Sequence, residues 1–161
     1  MLLKLIGALF VAASSFVLSN HLCSRLTRER DELESFINLI SRIRLDISCF
    51  SRPLTEIYSG FSSPSLDSIG FTEALRGSGF YGAIRECAFR LSLSDSAKEL
   101  LASFAEGLGQ GYREDEIKRC DHTLSFLDEE YKKCLEALPG KSKLIRSLSV
   151  TFGISVIIIL I

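Results

Sequence analysis

The sequence has few of the residue types that enzymes use for acid, base or metal chemistry. Its 161 residues include two histidines, His21 and His122, so a nucleophile has few bases with which to pair. Cys120 stands two positions before His122, and side chains that close in sequence point to different sides of a helix. Cys120 and Cys134 share a helix face, but about 21 Å of helix separates them. The sequence therefore predicts no catalytic residue, no metal ligand and no cofactor.

Other chemical signals are also missing. The segment from Gly77 to Gly82 is rich in glycine, but a phosphate-binding loop needs a preceding strand and a following Lys-Ser or Lys-Thr, and neither is present. The formal net charge is −1, which argues against a broad surface for nucleic acid. The cysteines are odd in number, lack C-x-x-C spacing and are predicted to be reduced core residues. They are Cys23, Cys49, Cys87, Cys120 and Cys134.

Long apolar runs are what the sequence does have, one at each end. Residues 2–18 are interrupted only by Lys4, and as a helix they span roughly 26 Å, close to the hydrocarbon thickness of a bilayer. Residues 144–161 reach about 27 Å if their one basic residue extends to the interface. The alternative for the first run is a signal peptide, but the run continues past the candidate cleavage site. We predict membrane-spanning helices at 1–22 and 142–161.

Basic residues flank both apolar runs on the side that faces the middle of the chain. The positive-inside rule therefore places residues 23–141, the predicted central domain, in the cytoplasm and both chain ends at or beyond the far face of the membrane. The arginines after the first run are also candidates for contact with anionic lipid headgroups. The flanking residues are Arg25, Arg28 and Arg30 after the first run and Lys141, Lys143 and Arg146 before the second.

The middle of the chain is patterned for helices, without strand-like alternation. An apolar stripe at helical spacing predicts a helix from Arg25 to Ser51, and Pro53 suits the first turn of a short helix that follows. The glycine-rich stretch from Ser59 to Gly82 is predicted to be largely loop. The predicted fold is all-α, a cytoplasmic antiparallel helical bundle flanked by N- and C-terminal transmembrane helices. The stripe consists of Leu26, Leu33, Ile37, Ile40, Ile43, Ile47 and Phe50.

Three further helices are predicted in the second half of the chain, and the first of them runs from Ala83 to Leu91. Residues Ser96 to Glu99 form a possible capping box that opens one helix, and an apolar seam follows a longer helix from about Tyr112 until Pro139-Gly140 ends it. The seam has two interpretations, packing within the bundle or a coiled-coil surface for a partner, and the small size of the domain favours packing. The seam residues are Ile117, Cys120, Leu124, Leu127, Tyr131, Cys134 and Leu138.

The other face of this long helix carries acidic residues four positions before basic ones, the orientation that supports a solvated helix. The pairs are Glu114 with Lys118, Asp115 with Arg119, Asp128 with Lys132 and Glu129 with Lys133. If the domain binds a partner or the membrane through charges, this face and the arginines after the first apolar run are the candidates. The candidate contact residues are Arg25, Arg28, Arg30, Glu114, Glu116 and Arg119.

Several segments of the chain match a known family in order and spacing. They are MLLKLIGALFVAASSFVLSN with the following RLTRERDELESFINLISRIRLDI, then RPLTEIY, then SFAEGLGQGYREDEIKRC, and the final apolar tail. They contain an apolar start, an arginine-rich exit from the membrane, a Pro-Leu element and a Phe-x-x-x-Leu-Gly junction. The matching residues are Leu3 to Gly7, then Arg25, Arg28 and Arg30, then Pro53 and Leu54, and finally Phe104, Leu108 and Gly109. In these features the chain resembles the stage III sporulation protein AB family.

The resemblance implies a helical domain similar to the cytoplasmic domains of type II secretion F proteins. It also implies a non-enzymatic component of the sporulation channel that links mother cell and forespore, located in the mother-cell-derived membrane around the forespore. The partners implied are a secretion-type ATPase, stage III sporulation protein AA, and other channel subunits. Membrane lipids are expected contacts, whereas nucleic acid and a small-molecule substrate are not.

Two other classes of function remain open from the residues alone. One is a membrane-anchored helical sensor or lipid-responsive binding protein, which needs a pocket in the bundle. The other is an enzyme with an inconspicuous site, which needs perturbed titratable groups clustered in a cleft. The sequence shows no set of residues that favours either class over an interaction module.

Overall fold

The secondary structure is entirely helical in the part of the chain that the structure describes. A computed structural model describes the backbone of residues 2–49 and 52–160, and the side chains of residues 24, 25, 27–49 and 52–137. These residues contain no strand, which confirms the predicted all-α fold. The helices are α1 (Leu2–Cys49), α2 (Leu54–Ser59), α3 (Pro64–Ser68), α4 (Phe71–Cys87), α5 (Asp95–Gly107) and α6 (Arg113–Leu160).

The chain divides into two compact units. Residues 28–133 form one unit, which we call the helical unit, and residues 1–27 and 134–161 together form the other. Among the described side chains, no helix is both long and apolar enough to cross a membrane. The two predicted membrane spans, 1–22 and 142–161, lie outside the residues whose side chains are described. Those spans, and the division into domains that they define, stay predictions.

Four phenylalanine rings from three helices lie at the centre of the helical unit. Phe36 of α1 meets Phe71 and Phe80 of α4, with ring centroids 5.1 and 6.4 Å apart. Phe80 also packs edge-on against Phe104 of α5, at 5.5 Å. Edge-to-face contacts at these separations are favourable beyond the area that the rings bury. We call these rings the phenylalanine cluster, and none of them is more than 3% exposed.

Aliphatic side chains from every helix are buried in the helical unit as well. The stripe predicted for α1 is confirmed at Leu33, Ile40 and Ile43, which are almost completely buried. Ile37 and Ile47 of the same stripe are partly buried. Each later helix adds at least one fully buried residue, so one core serves all of them. These residues are Ile57 of α2, Leu66 of α3, Leu75 of α4, Leu101 of α5 and Leu127 of α6.

Polar contacts show that α1 and α6 run antiparallel within the helical unit. The guanidinium of Arg113, at the start of α6, donates to the backbone carbonyl of Ser48 near the end of α1. Two turns further along α6, Asp121 accepts from Arg44, with Nη2 and Oδ2 3.3 Å apart. Successive contacts therefore advance along α6 while they move back along α1.

The glycine-rich stretch from Ser59 to Gly82 is mostly helical, so its prediction as a loop is wrong. It contains α3 and much of α4, which is interrupted at Gly79, where φ is 73° and ψ is −177°. Glycine destabilises a helix by about 1 kcal/mol relative to alanine. Burial of Phe71 and Phe80 offsets that cost. Tertiary packing, rather than glycine content, decides the conformation of this stretch.

Three predicted helix boundaries differ from those observed. Pro53 is the residue before α2 rather than a residue of its first turn. The N-cap of α5 is Ser94, whose hydroxyl accepts a backbone N–H at 3.3 Å, so the capping box predicted at Ser96 is wrong. The predicted end at Pro139-Gly140 is also wrong, because α6 continues past them to Leu160. A proline removes one hydrogen bond from a helix, and a long helix retains its remaining bonds.

Candidate interaction surfaces

The predicted arginine contacts lie near the middle of α1. Arg25 and Arg28 are exposed, and Arg30 is partly buried. The guanidinium of Arg30 forms an ion pair with Asp31 at 2.5 Å, and the hydrogen bond and charge of that carboxylate raise the pKa of Arg30. Arg25 and Arg28 therefore present their charges to solvent, whereas part of the charge of Arg30 is already matched.

The three candidate residues on α6 differ in exposure. Glu114 is exposed and Arg119 is partly buried, but Glu116 is only 4% exposed, although the charge pattern predicts a solvated position. All three lie at the end of α6 that meets Ser48, and about 27 Å of α1 separates Ser48 from Arg30. The two groups of candidate residues therefore do not form a single site, and their contact with a partner stays a prediction.

Glu116 and Arg119 hold the turn between α5 and α6 through its backbone. Glu116 Oε1 accepts the N–H of Gly111 at 2.9 Å and is 3.3 Å from Arg119 Nη1. Arg119 also donates to the carbonyl of Gly107, the last residue of α5. A Cβ atom on Gly107 would collide with this guanidinium, so a side chain there would displace Arg119 from the Gly107 carbonyl. We call these four residues the α5–α6 junction.

A cleft of about 280 Å³ lies beside the α5–α6 junction. Its walls combine apolar side chains with two arginines and Glu116. The second carboxylate oxygen of Glu116, Oε2, is buried and has no hydrogen-bond partner among the described residues. Such an oxygen is costly to bury, so a donor placed there would be favourable. The cleft is lined by Ile47, Arg52, Leu54, Leu108, Gly109, Gly111, Arg113 and Glu116.

The buried face of α6 is rotated from the predicted seam. Cys120 and Leu127 are completely buried, as the seam predicts, but Glu116 and Thr123 are also buried. Ile117, which belongs to the predicted seam, is only partly buried. Because this face is covered within the helical unit, its burial favours internal packing over a coiled-coil surface.

The outer face of α6 carries ion pairs at spacings of three and four residues. Lys132 lies 3.3 Å from Asp128, which confirms one predicted pair. Lys133 instead pairs with Glu130, at 2.9 Å, rather than with Glu129. Exposed pairs of this kind contribute little to stability. Their main consequence is a charged, solvated face along α6.

A further exposed feature, which the sequence did not predict, lies on the second half of α4 and in the turn that follows it. Tyr81 is 41% exposed and Phe89 is 78% exposed. The guanidinium carbon of Arg85 lies 5.8 Å from the centroid of the Tyr81 ring, and that of Arg90 lies 5.3 Å from the centroid of the Phe89 ring. We call these four residues the aromatic–arginine stripe. The four-residue spacing of Tyr81, Arg85 and Phe89 is the signal that could have revealed it.

Burial raises the pKa of two titratable groups in the helical unit, Glu32 and Cys120. Glu32 is 2% exposed and accepts the backbone N–H of Ser92 at 2.7 Å, and burial raises the pKa of this carboxyl. Burial, with a smaller effect of the Glu116 carboxylate, raises the pKa of the Cys120 thiol to about 11. That thiol is protonated near neutral pH and is a poor nucleophile. Among the described side chains, no three His, Cys, Asp or Glu residues form a group that could hold a metal ion.

The cysteines differ in burial. Cys87, Cys120 and Cys134 are buried, as the prediction of core cysteines requires, and Cys49 is exposed. Cys23 lies outside the residues whose side chains are described. No disulfide joins the described cysteines.

Comparison with known families extends over nearly all of the chain. The family described as stage III sporulation protein AB matches residues 4–161. The chain belongs to this family. Membership confirms the resemblance seen in the sequence and indicates a role in stage III of sporulation. No curated protein and no solved structure matches the chain.

The family match contains every surface described above. The α5–α6 junction, the cleft beside it and the aromatic–arginine stripe all lie within residues 4–161. The match also includes both apolar ends of the chain.

Proposed function

We propose that this protein is a non-enzymatic membrane platform component of a secretion-like sporulation channel linking mother cell and forespore. In this proposal both apolar ends cross the mother-cell-derived membrane around the forespore, and the central helical domain lies in the cytoplasm. There it engages a secretion-type ATPase, stage III sporulation protein AA, together with other channel subunits. The single observation that carries the proposal is the family match over residues 4–161.

The side chains of the helical unit support protein binding as its function. Its buried acid Glu32 is bonded to the Ser92 backbone, and the thiol of Cys120 is protonated, so neither is poised to react. Charged and aromatic side chains instead remain on the outside, on α6 and along the aromatic–arginine stripe. The similarity to type II secretion F domains implied by the sequence is in keeping with such a platform.

The proposal is tested by purifying the tagged full-length protein from gently solubilised membranes of sporulating cells. Mass spectrometry then identifies what co-purifies. Recovery of the secretion-type ATPase with other channel subunits is the expected result. Their absence, even after cross-linking, would overturn the proposal.

The contribution of the α6 face is tested with a charge reversal that spares the fold. Glu114→Lys is suitable because Glu114 is exposed, whereas Glu116 and Arg119 hold the α5–α6 junction. Glu99→Lys, at an exposed position of α5, is the matched control. We expect Glu114→Lys to reduce recovery of the ATPase and Glu99→Lys to leave it unchanged. Equal recovery with both variants would remove this face from the interface.

The cleft beside the α5–α6 junction favours a second candidate function, a membrane-anchored sensor of a small ligand. The observation is the buried oxygen of Glu116, which no donor contacts among the described residues, next to apolar walls. A sensor should be stabilised by its ligand in proportion to the ligand concentration relative to Kd. A screen of polar metabolites by thermal unfolding tests this, with Glu116→Gln as the variant that should lose any stabilisation. A screen without a shift argues for the platform function.

A further inference from the structure

The aromatic–arginine stripe presents apolar and cationic groups along the end of α4 and the turn that follows it. Tyr81 and Arg85 lie one turn apart on α4, and Phe89 and Arg90 lie in the turn that follows Cys87, the last residue of the helix. The opposite side of the same helix packs into the core, because Phe80, Ala83, Ile84 and Cys87 are all buried. The exposure of the stripe is therefore not a sign of poor packing, since α4 already has a complete buried face.

The composition of the stripe is typical of the centre of a protein interface. Tyrosine and arginine are among the residues that carry most of the binding energy at such interfaces. The two guanidinium groups lie over aromatic rings, which limits the freedom that they lose when they bind. Arg90 also donates to the carbonyl of Ile69 at 3.1 Å, which holds it in place. Glu86 on the same helix accepts from Ser78 at 3.2 Å.

A groove of about 530 Å³ adjoins the stripe at Tyr81. The volume is sufficient for one or more side chains of a bound segment. Glu106 lies in this groove, so a carboxylate there would be repelled. A bound segment should therefore place neutral side chains in the groove and its acidic side chains along the stripe. The groove is lined by Tyr81, Ala105, Glu106, Leu108 and Gln110.

We propose that the aromatic–arginine stripe and its groove bind an acidic segment of a partner protein. The segment places apolar side chains on Tyr81 and Phe89 and a carboxylate between them on Arg85, with a second carboxylate on Arg90. The inference rests on the proposed function in one respect, that the helical unit binds proteins. It adds which surface binds and that the bound segment is acidic.

The number of charges argues for a protein segment rather than a lipid surface. Recruitment by anionic lipid relies on clusters of four to eight basic residues. The stripe contains two arginines, with the acidic Glu86 and Glu106 nearby. Directional pairing of each guanidinium with a carboxylate suits two fixed arginines, and the negative neighbours would oppose a uniformly anionic surface.

The experiment is site-specific photo-cross-linking of the full-length protein in membranes of sporulating cells. Phe89 is replaced by p-benzoylphenylalanine, which retains an aromatic ring, and mass spectrometry identifies the cross-linked peptide. The same probe is combined with Arg85→Glu and, as a matched control, with Lys132→Glu on the outer face of α6. Thermal unfolding of both purified variants establishes that their folds are equally stable.

The expected result is a cross-link to a net-acidic segment of another protein, reduced at least about tenfold by Arg85→Glu and unchanged by Lys132→Glu. The yield should also fall as salt is raised, since the pairing is electrostatic. Cross-links to lipid, to a second copy of this chain or to a segment without acidic character would overturn the proposal. So would the lack of any protein cross-link, or a yield unaffected by Arg85→Glu.

The outcome is separable from that of the proposed function. If the secretion-type ATPase co-purifies but residue 89 gives no acidic cross-link, the surface is wrong and the platform function stands. If residue 89 gives the acidic cross-link but neither the ATPase nor channel subunits co-purify, the surface stands and the platform function fails.

Discussion

The phenylalanine cluster and the α5–α6 junction hold neighbouring helices together by different physical means. In the cluster, apolar rings meet edge to face at 5.1–6.4 Å, and no ring needs a specific polar partner. In the junction, Glu116 and Arg119 bind backbone groups of the turn, and Glu116 Oε2 has no partner among the described residues. The cluster depends on volume and shape, whereas the junction depends on donors and acceptors in fixed positions.

The largest expected change in the free energy of unfolding comes from a substitution in the phenylalanine cluster. Phe36→Ala should lower the free energy of unfolding by about 3–5 kcal/mol, because it removes a fully buried ring and leaves a cavity. The measurement is urea unfolding of the full chain in mild detergent, followed by helical circular dichroism. Phe89→Ala is the control, and it should change the free energy by no more than about 0.5 kcal/mol, because Phe89 is exposed. If both variants lost the same free energy of unfolding, burial would not explain the difference expected between Phe36 and Phe89.

The junction should respond to loss of an acceptor rather than loss of volume. Glu116→Ala should lower the free energy of unfolding by about 1–3 kcal/mol, because the Gly111 N–H and Arg119 lose their shared acceptor. Glu116→Gln retains one carbonyl oxygen and should cost less. The same urea titration measures both variants. A glutamine variant as unstable as the alanine variant would mean that charge, rather than hydrogen bonding to the turn, holds the junction.

Two glycines of α4 offer a test of backbone conformation next to the phenylalanine cluster. Gly79 has φ of 73° and ψ of −177°, a region that residues with a Cβ rarely adopt, so Gly79→Ala should cost about 1–3 kcal/mol. Gly77 is helical, and a Cβ there would meet nothing within 4 Å. Gly77→Ala should therefore stabilise by about 0.5–1 kcal/mol. Thermal unfolding of the two variants should move in opposite directions, and shifts of the same sign would contradict this explanation.

The smallest expected effect concerns the start of α5, the helix that connects the two regions. Ser94→Ala should cost about 1 kcal/mol, because the N-cap hydroxyl that accepts a backbone N–H is lost. Ser96→Ala should change stability by no more than about 0.5 kcal/mol, since Ser96 is exposed and does not cap the helix. Thermal unfolding compares the pair. A larger loss at Ser96 would restore the capping box that the sequence predicts.

Sequence pattern predicted the parts of the fold that depend on helical periodicity. Leu33, Ile40 and Ile43 are core residues of α1 because an amphipathic helix repeats its buried face every three to four positions. The same reasoning failed from Ser59 to Gly82, because α4 is stabilised by burial against residues that are distant in sequence. Local glycine content carries no information about that burial.

The polar sites were harder to predict, for a different reason. Glu116 belongs to a run of acids that favours a solvated face, but its partner is the Gly111 backbone N–H. That contact depends on the path of the turn, which no side-chain spacing encodes. The aromatic–arginine stripe was predictable in principle from the spacing of Tyr81, Arg85 and Phe89, because the sequence already favours a helix over residues 83–91.

The hydrogen bond between Glu32 and Ser92 has a consequence for how the chain folds. These residues are 60 positions apart, and closing a loop of that length costs roughly 3–4 kcal/mol of chain entropy before the contact forms. Folding dominated by such distant contacts is slower than folding of adjacent helical hairpins. During synthesis, α1 emerges well before α5. The apolar stripe of α1 is therefore exposed to solvent until the later helices that cover it have been synthesised.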